Sequence, residues 1–185
     1  MPGERRNARH LVAVLTRPTT SIVELGTPVE CLGRQRYAIA YCASAPGRVT
    51  LTSDFSVEAA HGLDRLTAAD TVVVPGDREQ PLDPQPAITH ALRAAAARGA
   101  RLVATGSGTF VLAAAGLLTG RRATTRPDLA DDLRRRFPRV RVDAFAPTVT
   151  DGSIAPARAA PAPPSCSGSW CAATTAPARA TSSPT

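Results

Sequence analysis

The chain contains no lysine, and aromatic residues make up only 4% of it, so arginine supplies every basic side chain and aliphatic residues must build the core. All 22 basic residues are Arg, against 15 acidic residues, which gives a net charge of +7. An all-Arg, Ala-rich composition is typical of a GC-rich coding sequence, so the charge is weak support for a nucleic-acid partner. The densest basic stretch, residues 121–141, has no interleaved aromatics and indicates a solvated helix face.

Cysteine is also scarce: the four cysteines are too few and too irregularly spaced for a disulfide framework. Cys166 and Cys171 have no second Cys or His pair nearby, so we expect no metal site, and no motif indicates a cofactor. The first ten residues carry no apolar signal region, and no apolar run is long enough to span a bilayer. We therefore expect a cytoplasmic protein with no membrane association.

The 185 residues suffice for one α/β domain. Apolar runs and turn residues predict strands at 11–15, 37–43, 71–75, 101–105, 123–125, 140–142 and 148–154, with mixed β character at 49–57 after a turn at Pro46 and Gly47. Helical spacing predicts helices over 21–32, 87–98, 109–118 and 128–137, the first bent or interrupted by Pro28.

Strands that alternate with helices predict a flavodoxin-like α/β fold, with a mostly parallel sheet sandwiched by helices. Ligands of such sheets bind at the carboxyl ends of the strands. That rule brings Thr16, residues 75–77 and residues 105–108 around one crevice, and the polar, proline-rich segment 77–86 is predicted to be a loop over its mouth.

The stretch RLVATGSGTFVLAAAGLL, residues 101–118, organises the predicted site. A strand that breaks at small residues and turns directly into a helix directs backbone N–H groups outward at the positive end of the helix dipole. In hydrolases the residue at the top of such a turn is a nucleophile, but here that position is Gly106, which has no side chain. Ser107 lies one residue past the turn, and we expect it to bond backbone or ligand rather than to act as a nucleophile.

These blocks resemble the DJ-1/PfpI superfamily, and most closely the amidotransferase-like N-terminal domain of GlxA-type AraC regulators. The likeness covers residues 9–155 and rests on SIVELGTPVECLG, VVVPG and RLVATGSGTFVLAAAGLLTGRRATT. It implies that Glu24 occupies the position of the glutamate that bonds the superfamily's elbow cysteine, and that Gly106 replaces that cysteine. Arg126 and Pro127 stand where His-Trp is usual. Without the cysteine, Glu24 can equally be an ordinary carboxylate on a helix face.

The resemblance, together with Gly106, leads us to expect a non-catalytic, ligand-sensing domain rather than an enzyme. Its expected ligand is a small anionic or carbonyl-bearing metabolite, because backbone N–H groups stabilise negative charge. The expected pocket residues are Glu24, Gly76, Asp77, Gly106, Ser107 and Gly108. The resemblance also implies a homodimer. The alternative is a superfamily enzyme with a degenerate site, such as an amidase, hydratase or deglycase.

The domain boundaries follow from composition. We predict a disordered N-terminus at 1–8, the DJ-1/PfpI-like domain at 9–155, without its final helix, and a disordered tail at 156–185, where 24 of the last 30 residues are Pro, Ala, Ser or Thr. Pro156 to Ala159 and Trp170 to Thr175 match out-of-frame translations of family motifs, so a frameshift is our hypothesis for the tail. The regulators' helix-turn-helix units do not follow, so we expect no specific DNA binding by this chain.

Overall fold

We describe the protein from a computed structural model, over residues 9–32, 37–51, 54–77 and 83–159. The elements follow one another as β1 (His10–Leu15), α1 (Ile22–Leu32), β2 (Tyr37–Cys42), β3 (Gly47–Thr50), β4 (Ser56–Ala59), α2 (Leu63–Thr67), β5 (Thr71–Val74), α3 (Pro86–Ala97), β6 (Arg101–Thr105), α4 (Gly108–Ala114), β7 (Arg122–Ala123), a 3-10 turn (Pro127–Leu129), α5 (Ala130–Arg136), β8 (Arg141–Val142) and β9 (Ile154–Ala157).

The central sheet has five strands in the order β2-β1-β5-β6-β9, and every neighbouring pair is parallel. Its central strands are buried on both faces. In β5, Val72 and Val74 belong to one hydrophobic cluster and Val73 to the other. Burial on both faces explains the continuous valine run in the sequence, because neither side of the strand needs a polar residue. The predicted α/β fold with a parallel sheet is confirmed.

Helices cover the two faces unequally. The larger cluster draws Leu66 from α2, Ile88 and Leu92 from α3, and Leu112 from α4. The smaller cluster is covered by α1 through Leu25 and Leu32, and by Leu51 at the end of β3. The β3–β4 hairpin is antiparallel and covers most of the stretch 49–57, for which mixed β character was predicted. The predicted turn at Pro46 and Gly47 does not join these two strands but lies between β2 and β3, with Gly47 as the first residue of β3. The sequence analysis missed α2, which has five residues and too few turns to show a helical period.

Proline and glycine have different effects in α1 and at the end of α3. Of the two effects predicted for Pro28, a bend or an interruption, the interruption does not occur: α1 is continuous from Ile22 to Leu32, and Pro28 is buried. Burial of the ring offsets the hydrogen bond that proline cannot donate. In α3 the predicted end is correct, since Gly99 follows with a positive φ of 86°. Residues 78–82 of the predicted 77–86 loop lie outside the described residues.

A strand, β9, crosses the predicted domain boundary at residue 155. β9 runs from Ile154 to Ala157 and pairs with β6 through Thr105 and Ala157. The Pro156 carbonyl accepts a hydrogen bond from the Val149 N–H on the side away from β6, so the proline ring costs the ladder no donor. The predicted strand at 148–154 is shifted accordingly. The predicted N-terminus at 1–8 and tail residues 160–185 lie outside the described residues.

Candidate functional site

The turn between β6 and α4 keeps the shape of a nucleophile elbow. Gly106 has a φ of +51°, in the left-handed region that costs an ordinary L residue about 1 kcal/mol or more. Two residues later, Gly108 lies so close to β5 that an added Cβ would be 2.1 Å from the Val74 carbonyl oxygen. The close contact of α4 with β5 therefore requires the second glycine of the GSG sequence, and the positive φ favours glycine at the first.

Glu24, in the first turn of α1, reaches this elbow. Its Oε2 accepts hydrogen bonds from the Gly76 N–H and, at 2.5 Å, from the Thr105 hydroxyl. A Cβ built on Gly106 would lie 3.2 Å from Oε1 of the same carboxylate. Three of the residues predicted from sequence, Glu24, Gly76 and Gly106, are thus brought together. The carboxylate faces the place where an elbow side chain would begin.

Ser107 does not face a ligand. Its side chain is fully buried, and its Oγ accepts a hydrogen bond of 2.6 Å from the Asp77 N–H. A hydroxyl that is closed off from solvent and occupied by a backbone donor cannot attack a substrate. Ser107 therefore fixes the loop after β5 against the elbow.

Asp77 is the centre of a buried ion pair. Its carboxylate lies 3.0 Å from the Arg17 guanidinium, with side-chain exposures of 9% for Arg17 and 0% for Asp77. Thr19 donates a further hydrogen bond of 2.6 Å to it, and Arg17 also donates to the Pro75 carbonyl at 3.0 Å. Sequence analysis placed Asp77 in the pocket but missed Arg17 and Thr19. Their position in the sequence could have identified them, because they directly follow β1 at the ligand-binding edge of the sheet.

Both backbone polar groups of Gly106 are occupied. The Gly106 N–H donates to the Ala157 carbonyl at 2.9 Å, and the Gly106 carbonyl accepts from the Thr125 hydroxyl at 2.8 Å. The Gly106 N–H is therefore not one of the outward-directed N–H groups that we predicted for this turn. Its partner belongs to the last strand, which composition assigned to the tail.

Arg126, which stands where the superfamily has His, does lie beside the elbow. Its Cδ would be 3.5 Å from a Cβ on Gly106, and its guanidinium pairs with Asp128 at 2.5 Å. The hydrogen bond to Asp128 raises the pKa of Arg126, and the charge of Glu24 adds to the increase. The same hydrogen bond lowers the pKa of Asp128. A permanently protonated guanidinium cannot serve as a general base, so Arg126 does not replace histidine chemically.

Other reactive groups lie elsewhere. His10 bonds the Thr71 hydroxyl at 2.9 Å, at the opposite ends of β1 and β5 from the elbow. Burial raises the pKa of Cys31, and raises that of Cys42 to about 11. Over the ranges described, no group of three or more His, Cys, Asp or Glu residues could hold a metal ion. Over the same ranges, no helix is both long and apolar enough to cross a membrane.

A cavity of about 560 Å³ lies at the carboxyl ends of β1 and β2, and none of its described lining residues belongs to the elbow. Arg17 and Thr19 line it on one side, Ser44 and Arg48 on another, and Gln85 and Ile88 close it at the start of α3. Ser44 donates a hydrogen bond of 2.8 Å to Gln85, which ties β2 to α3 across the cavity. Of the residues that the sequence analysis placed around the crevice, Thr16 lines this cavity, as do residues 83–85 of the predicted loop over its mouth, whereas residues 75–77 and 105–108 do not.

Comparison with known proteins agrees with this architecture. The sequence profile of the DJ-1/PfpI family matches residues 10–169. An uncharacterized protein encoded in the 5′ region of cpoL in Streptomyces lividans is 36% identical over 135 residues, which are 70% of this chain and 96% of that protein.

Two solved structures illustrate the shared fold. A cysteine-to-alanine mutant of a DJ-1 superfamily protein from Salmonella typhimurium is 26% identical, with a TM-score of 0.69 over 81% of this chain and 82% of that one. An AraC family transcriptional regulator from Pseudomonas putida is 21% identical, with a TM-score of 0.69 over 80% of this chain and 83% of the other.

Proposed function

Because the chain belongs to the DJ-1/PfpI family, we propose that it is a non-catalytic, ligand-sensing domain of the kind that AraC-type transcriptional regulators carry. One observation carries the proposal. The elbow holds its nucleophile geometry at Gly106, with Glu24 correctly placed beside it, but no side chain is there to react. A covalent mechanism needs an activated nucleophile at that point.

The surroundings of Gly106 support a binding role. Ser107 is buried and hydrogen-bonded to Asp77, and both thiols in the described ranges have raised pKa values, so neither supplies a thiolate at neutral pH. What remains is a rigid sheet edge with an adjoining cavity large enough for a metabolite. The proposed ligand is small and carries an anionic or carbonyl group.

The second candidate is a DJ-1/PfpI enzyme with a degenerate site. One observation favours it: Glu24 keeps its place and its hydrogen bonds to Gly76 and Thr105. However, those bonds also have a structural role, because they join α1 to the ends of β5 and β6. We therefore rank the enzyme second.

A thermal-shift screen tests the proposal. Metabolites with carboxylate, amide or aldehyde groups are added to the purified full chain, and product formation is followed in parallel. A ligand that binds only the folded state should raise the Tm by about 5–10 °C at 100 times its Kd, without being consumed. Turnover of any of these compounds would favour the enzyme. A folded sample that none of them stabilises would count against ligand sensing.

A further inference from the structure

Two arginines of the cavity at the ends of β1 and β2 have donors that no protein group satisfies. The Arg17 side chain is only 9% exposed, yet its Nε has no hydrogen-bond partner, the only such buried side-chain atom among the described residues. Arg48, on the β3–β4 hairpin, lines the same cavity and has no ion pair or side-chain hydrogen bond within the described ranges. A buried donor without a protein partner, such as the Arg17 Nε, indicates an acceptor that comes from outside the chain, and Arg48 adds an exposed, unpaired positive charge to the same cavity.

The charges around the cavity favour an anion. The buried ion pair with Asp77 neutralises the charge of Arg17. Asp83, the one carboxylate on the lining described, is paired with Arg136. Among the charged side chains of that lining, Arg48 is therefore the one without an oppositely charged partner. A guanidinium offers a planar fork of donors that matches a carboxylate.

The remaining walls define the rest of the ligand. Pro18, Ala43, Val49 and Ile88 give the cavity an apolar lining, and its volume of about 560 Å³ leaves room beyond a carboxylate group. We propose that this cavity binds a small monocarboxylate with an apolar body, whose carboxylate pairs with Arg48 and extends toward Arg17. The inference rests on the proposed ligand-sensing role and assigns its ligand class and its location.

The cavity is also physically connected to the elbow. Arg17 pairs with Asp77, the Asp77 N–H donates to Ser107, and Ser107 directly follows Gly106. An occupant that moved the Arg17 guanidinium would act on this buried chain of contacts. In this arrangement the elbow is a rigid part of the fold that contacts the cavity through Asp77 and Arg17, and the ligand binds in the cavity and not at the elbow.

Calorimetric titration of the full chain tests the assignment. The probes are 4-phenylbutyrate and its neutral amide, 4-phenylbutyramide, with inorganic phosphate as a third arm. The carboxylate should bind at least about tenfold more tightly than the amide and than phosphate, because only it combines the charge with the apolar body. Arg48→Gln should weaken carboxylate binding about tenfold. Arg139→Gln, which removes an exposed arginine outside the cavity lining, should leave it unchanged.

Several results would overturn the cavity assignment: equal binding of acid and amide, tighter binding of phosphate, no effect of Arg48→Gln, or no binding by a folded sample. Binding that Glu24→Gln abolishes and Arg48→Gln leaves intact would overturn it too, but would keep ligand sensing at the elbow. Circular dichroism of each variant confirms that the fold is retained. Failure of the proposed function itself is recognised separately, by turnover in the product assay.

Discussion

The elbow and the cavity share one edge of the sheet but use their polar groups in opposite ways. At the elbow, Glu24 and Ser107 bond to other parts of the chain, and the Gly106 N–H bonds to Ala157. In the cavity, Arg48 and one nitrogen of Arg17 have no acceptor among the residues that the structure describes. The elbow keeps its shape without a side chain at Gly106, and we propose that the ligand binds in the cavity beside it.

The two cavity arginines should differ most in their effect on stability. Arg17→Gln leaves the fully buried Asp77 carboxylate without its ion pair, so we expect the free energy of unfolding to fall by about 3–5 kcal/mol. Arg48→Gln removes an exposed charge and should change it by no more than about 0.5 kcal/mol. Urea unfolding measures both. Similar losses in the two variants would contradict the distinction between an internal arginine and a ligand-facing one.

The elbow should tolerate no side chain at its second glycine. In Gly108→Ala the new Cβ would lie 2.1 Å from the Val74 carbonyl oxygen, so α4 and β5 must separate, at a cost of about 2–3 kcal/mol. Gly26→Ala is the matched control, because it lies in α1 with nothing within 4 Å of its added Cβ. It should stabilise the protein by about 0.5–1 kcal/mol. Equal unfolding midpoints for the two variants would mean that the elbow is not tightly packed.

Cys42 reports on the cavity wall, because it directly precedes Ala43 and Ser44, which line the cavity. Burial raises its pKa to about 11, so the thiol stays protonated and iodoacetamide should leave it unlabelled at pH 8. The unfolded thiol ionises near pH 8.5, so stability should be unaffected below that pH and should fall as the pH rises toward 11. Peptide mass spectrometry measures the labelling. Rapid alkylation of the folded protein at pH 8 would indicate an open wall.

Local patterns predicted the fold well because its main signals are local. The valine run of β5 and the strand-turn-helix at residues 101–118 reflect burial on both faces and glycine geometry, which neighbouring residues determine. The resemblance located Glu24 opposite Gly106, and the structure places them together.

Contacts between distant segments were not predictable in the same way. Arg17 and Asp77 are 60 residues apart, and Arg48 joins their cavity only because the β3–β4 hairpin folds back over the sheet edge. Strand β9 was not predicted at its observed position, because the composition of Pro156 and Ala157 is that of the tail, whereas their strand structure comes from pairing with β6 and with the segment at Val149.

The central proposal is that the elbow keeps its shape but cannot react, and an acylation experiment tests it most directly. Wild-type protein and Gly106→Cys are treated with p-nitrophenyl acetate, and the acetylated residue is located by peptide mass spectrometry. The Cβ of the new cysteine would lie 3.2 Å from the Glu24 carboxylate, so the variant should be acetylated at position 106, whereas wild type should carry no acetyl group on the Thr105 or Ser107 hydroxyl. An acetyl group on either hydroxyl of the wild-type protein would contradict the proposal.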